Sequence, residues 1–191
     1  MRRLSPRYSV WLPLLAGLAA LVLFPRLIDT LKAREHPPLA PKAGRVLVAR
    51  PSGVSDTFHQ TVVLLLEAGD THRTWGLVLN RVRPPDEQPL PQGVDRWGGP
   101  VHPTHRITLT PRTQPSEGAH HLLSGLSWYE TDQATQPPAD GSLAFAGVAA
   151  WGPGQLEQEL AGGAWWVMEV RAAEVFTPPG NLWATLAARH L

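Results

Sequence analysis

"TVVLLLEAGDTHRTWGLVLN", residues 61–80, is the stretch on which the fold turns. Its two ends, "TVVLLLE" (61–67) and "TWGLVLN" (74–80), are short runs of β-branched and apolar side chains. Runs this short, bounded by Gly and Asp, have the pattern of buried strands. The intervening "AGDTHR" (68–73) has the length and the turn residues of a hairpin loop. The stretch therefore predicts two antiparallel neighbours.

Further strands follow on either side: "RVLVA" (45–49), "RITLT" (106–110), "AHHLLS" (119–124), "SLAFAGV" (142–148) and "AWWVMEV" (164–170). The four prolines of "RPPDEQPLPQG" (83–93) exclude regular helix and central strand, so this segment is expected to be an irregular loop. Helices are few. One follows Pro153 and stops at Gly162 and Gly163, with Leu156 and Leu160 four apart on one face. Another begins near Pro179 and runs through "NLWATLAARH" (181–190), turning Leu182, Trp183 and Leu186 toward the core. No repeat of solenoid or propeller period is present. The element order predicts an α+β domain with a mostly antiparallel sheet.

Upstream of this domain, residues 8–25, "YSVWLPLLAGLAALVLFP", carry no charge and follow Arg2, Arg3 and Arg7. With Leu27 and Ile28 the run approaches the ~20 residues that cross a bilayer. A single-pass N-terminal membrane anchor is expected through residues 8–28. A cleaved signal sequence is the rival, although "LKA" (31–33) puts Leu where a cleavage site wants a small residue. Arginines and lysines flank both ends of the run, so the positive-inside rule selects neither orientation. The expected organisation is an anchor over 1–34, a proline-rich linker over 35–43 and one domain over 44–191, which fits ordinary domain sizes.

Charge and composition narrow the chemistry. Cysteine is absent, which excludes disulfides, thiolate zinc sites, iron–sulfur clusters and cysteine nucleophiles together. The formal net charge of +1 hides a division: residues 44–191 hold ten arginines, no lysine and fourteen acids. Within them, residues 113–191 hold two arginines against eight acids, so the C-terminal part is distinctly acidic.

Five separated stretches stand out as motifs: "GRVLVARPSGVSDTFHQTVVLLLE" from Gly44, "GLVLNR" (76–81), "GGPV" (98–101), "AAWGPGQLEQEL" (149–160) and "VFTPPGNLW" (175–183). In this order they resemble the YqgE/AlgH family of bacterial proteins. The resemblance rests on Gly76, Asn80, Arg81, Gly98, Gly99, Pro100, Trp151, Gly152, Gly154, Gln155 and Glu157, all expected to be structural. It departs from the family at Ala150, where relatives usually have Gly, and after Arg81, where relatives often have a helix. The anchor is also atypical, since family members generally look cytoplasmic. The resemblance implies a mixed sheet folded into a pseudo-barrel with a few flanking helices. It also implies largely uncharacterised relatives, some described as transcriptional regulators, with no catalytic residue or cofactor site to carry over.

Several constellations have the residue types of a functional site. The Gly152 and Gly154 turn into a helix offers amides to an anion. However, no Lys, Ser or Thr follows, and Glu157 and Glu159 already place negative charge near the helix start. A tight structural turn is expected instead. His102 and His105 (H-x-x-H) with His120 and His121 are candidate metal ligands, but adjacent strand residues face opposite ways and Pro103 disrupts the first pair. Ser52 and Ser124 are candidate nucleophiles by residue type alone, because neither sits in G-x-S-x-G. Asp86 and Glu87 are a carboxylate pair in a polar loop. The arginines at 73, 81, 83, 96, 106 and 112 form a nucleic-acid face only if they cluster in space, against an acidic background.

Seven of the eight tryptophans lie in the domain: 75, 97, 128, 151, 165, 166 and 183. Core packing is their expected use, with an exposed one able to anchor a partner. Trp165 and Trp166 must face opposite sides of a strand, so one is expected in the core and the other on a less buried face. The reading as a whole is a membrane-tethered, noncatalytic protein-interaction or regulatory module with no metal, cofactor or direct DNA contact. The alternatives are a transcriptional regulator acting on DNA directly or indirectly, and a small-ligand binder or enzyme with a pocket near His120 or Trp151.

Overall fold

Strands β1 (Arg45–Ala49), β2 (Val62–Glu67) and β3 (Thr74–Val78) form an antiparallel triplet, with Leu47 opposite Val63 and Val63 opposite Val78. The chain continues through β4 (Arg96–Trp97), β5 (Val101–Thr110), β6 (His120–Leu123), β7 (Leu126–Glu130), β8 (Leu143–Trp151) and β9 (Trp165–Glu169). Helix α1 (Gln155–Ala161) joins β8 to β9, and α2 (Ala172–Val175) and α3 (Leu182–Ala187) follow. The computed structural model describes residues 39–51, 53, 55–69, 73–112, 118–131 and 141–189.

The strand order is β6-β7-β5-β8-β3-β2-β1-β9, with β4 added in parallel to β8 and every other pairing antiparallel. The sheet curls into a half-barrel, giving the expected α+β fold. Its central strands are apolar at consecutive positions because both faces are covered. Val46, Val48, Leu64, Leu66, Leu77 and Phe145 face one cluster, which α2 and α3 close with Val175, Leu182 and Leu186. Leu47, Ala49, Val63, Leu65 and Val78 face a second cluster, covered by Leu156 of α1 and flanked by Phe58 and Leu90. Each fully buried leucine or valine among these, 0–4% exposed, contributes roughly 1.5–3 kcal/mol of transfer free energy.

Strand β8 is the joint of the sheet. It pairs with β5 through Leu143–Ala146 and again at Val148, with β4 at Phe145 and Ala146, and with β3 from Ala149 to Trp151. Between the β4 and β3 pairings, where the register with β5 also shifts, sits Gly147, with φ of 74°. Here the Gly98 and Gly99 backbone crosses β8: a Cβ on Gly98 would lie 2.2 Å from the Gly147 carbonyl oxygen, and one on Gly99 2.2 Å from the Val148 carbonyl carbon. No side chain fits, so "GGPV" marks a backbone-on-backbone crossing. Gly98 also fixes the crossing by donating to Ala146 O and accepting from Val78 N, both at 2.8 Å.

The structure differs from the sequence reading in several places. Strand β8 runs on to Trp151, three residues beyond the strand predicted over 142–148. The two-residue β4 and four-residue α2 are too short to show a period. Both Trp165 and Trp166 are buried, at 4% and 9% exposure, because each face of β9 has its own cluster. The expected membrane localisation is corrected: among the described residues no helix is long and apolar enough to cross a membrane. The seven residues of α1 are the longest helix among them, against the ~20 that a bilayer requires. The segment 8–28 that motivated the expectation lies outside the described residues.

Candidate functional site

The turn after β8 is organised by Glu159. Gly154 caps α1 in the left-handed region, with φ of 73°, and Gln155 opens the helix. Gln155 turns back, accepting a hydrogen bond from Gly152 N at 3.1 Å through Oε1 and donating to Glu159 Oε1 at 3.0 Å through Nε2. The other carboxylate oxygen, Glu159 Oε2, accepts from both Trp151 Nε1 at 2.9 Å and Trp165 Nε1 at 2.7 Å. The two indoles meet edge to face, with centroids 6.1 Å apart, and Phe58 packs on Trp165 at 5.8 Å. One carboxylate thus joins the end of β8, the helix and the start of β9.

This geometry answers the phosphate question. The Gly152 amide is already held by the Gln155 side chain, and a carboxylate occupies the same network. An anion placed there would displace a hydrogen bond and meet like charge.

Two further motif side chains, Asn80 and Arg81, also bond to the chain itself. Asn80 accepts from Val62 N at 2.9 Å and donates to Gln60 O at 2.8 Å, supplying a strand-like pair from a side chain. Arg81 donates to His59 O at 2.8 Å. Together they hold the turn into β2, where Gln60 has φ of 53°. Gly76 admits the β2 backbone, since a Cβ there would lie 2.1 Å from Leu64 O. Pro100 and Glu157 are exposed.

Residues 46–190 match the sequence profile of a family described as AlgH-like. The chain belongs to that family. A UPF0301 protein of Streptomyces coelicolor is 37% identical over 166 residues, covering 77% of this chain and 86% of the relative. One from Myxococcus xanthus is 34% identical over 157 residues, covering 73% and 86%. The solution structure of the AlgH protein from Pseudomonas aeruginosa aligns with a TM-score of 0.56 at 26% identity, covering 79% of this chain and 90% of that one. A crystal structure of a protein from Corynebacterium diphtheriae shares the fold, with a TM-score of 0.63 at 23% identity, covering 82% and 91%.

In this AlgH-like chain the other candidates do not converge. His102 is exposed with φ of 49°, His105 lies 3.8 Å from Glu130, and His120 stacks on Trp128 with centroids 4.3 Å apart. Among the described residues no three His, Asp or Glu side chains gather as a metal site would require. Ser124 lies exposed in the β6–β7 turn, and Ser52 lies outside the described residues. Asp86 and Glu87 sit in the exposed proline-rich loop, where Asp86 Oδ1 accepts from Gln88 N at 3.4 Å.

Two charged residues carry more of the AlgH-like fold than the sequence suggested. Arg96, 5% exposed, donates to Leu79 O at 2.6 Å, Val175 O at 3.4 Å and Thr177 O at 2.8 Å. Burial pushes its guanidinium below the ordinary arginine value, and neighbouring Asp95 pulls it back. Arg96 therefore leaves the set of arginines available to a nucleic-acid face. Glu174 bonds to Arg189, to Arg171 N at 2.8 Å and to Arg171 Nη2 at 3.4 Å. The Arg189 hydrogen bond foremost holds its carboxyl at about 2, well below the ordinary value. No periodic pattern announced either residue. The one trace of Glu159 in the sequence was its spacing, four residues beyond Gln155 on the same helix face.

Proposed function

We propose that this chain is a noncatalytic module that acts by binding a protein partner, in a regulatory role. The observation that carries the reading is the direction of the motif side chains. Of these, Asn80, Arg81 and Gln155 bond to the chain's own backbone and side chains, and Glu159 beside them bonds to two tryptophans. Catalysis by these residues would need a nucleophile, a base and an orienting group within hydrogen-bond reach of one open point. The hydrogen bonds they make hold strands and turns together.

The test uses the full-length chain as bait. A partner captured from a cell extract, then purified and titrated, binds saturably and with fixed stoichiometry if the reading holds. Failure of every captured protein to bind saturably counts against it. The enzyme or ligand-binder alternative is separated by thermal shift against nucleotides and divalent cations, since a ligand selective for the folded state raises its stability. Direct DNA binding calls for salt-sensitive gel shifts, and the burial of Arg96 weighs against it.

A further inference from the structure

We draw no further inference here: the strongest candidate, the exposed proline-rich loop of residues 82–95 with Val82 54% exposed at its start, carries nothing because nothing in the structure shows what covers it.

Discussion

Replacing Glu159 with Ala is expected to loosen the corner where β8, α1 and β9 meet. The carboxylate accepts three hydrogen bonds, two from indole donors at 2.7 and 2.9 Å and one from Gln155 at 3.0 Å. Hydrogen bonds to such a group contribute roughly 1.5–3 kcal/mol each, less where water can replace the lost acceptor. Gln155 is exposed and regains its bond from water, whereas Trp151 and Trp165 are each 4% exposed. Two poorly solvated indole donors left without an acceptor therefore cost about 3 kcal/mol in total. At about 2–4 °C per kcal/mol for a domain of this size, Tm falls by about 6–12 °C. Glu159→Gln retains one carbonyl oxygen for the indoles and loses only charge assistance, so its Tm falls by about 2–4 °C. Circular dichroism melts, followed in parallel by tryptophan fluorescence, measure both. A Glu159→Ala melt within about 1 °C of the parent would mean that the indole bonds contribute nothing measurable.

The two kinds of motif glycine separate cleanly by substitution. Gly99→Ala forces a Cβ into the Val148 backbone and is expected to abolish soluble expression, while Gly154→Ala meets open space and costs only about 1–2 kcal/mol for its left-handed conformation. Equal solubility and melts for the two variants would contradict the crossing. Arg96→Met removes a costly buried cation but orphans three carbonyls, and chemical denaturation should show a loss of about 2–4 kcal/mol. Unchanged stability would mean that those carbonyls find other donors. For Glu174 the folded pKa is depressed from 4.5 to about 2, so its contribution is complete above 4.5 and drains as pH falls through that window. Screening around the exposed arginines limits it to about 2 kcal/mol, and Glu174→Gln should flatten the stability profile between those pH values. A parallel profile in the variant would remove Glu174 from the account.

The sheet was legible in the sequence for a physical reason: strands buried on both faces are apolar at every position, and 61–80 shows two of them around one turn. The helix after Pro153 was legible because Leu156 and Leu160 share a face between glycines. What escaped notice was everything set by contacts distant in sequence. Arg96 reads as one more surface arginine until its carbonyl partners at 79, 175 and 177 are brought together by the fold. Glu159 reads as a helix-start acid, yet its role depends on an indole from each of two strands. The glycines of "GGPV" could be read as a family motif, but the reason for them lies in β8, some fifty residues later. Exposed single residues such as Val82 gave no periodic signal in either direction.

With its amide and indole donors already held by Gln155 and Glu159, the Trp151–Glu159 signature is expected to fasten the fold and not to cradle an anion. The most direct measurement is thermal unfolding of the full-length chain across a titration of inorganic phosphate, with Gly154→Ala and Glu159→Gln run alongside. No saturable rise in Tm is expected for any of the three proteins, and both variants start from a lower Tm. A saturable rise in the parent that Gly154→Ala abolishes would instead place an anion at the turn.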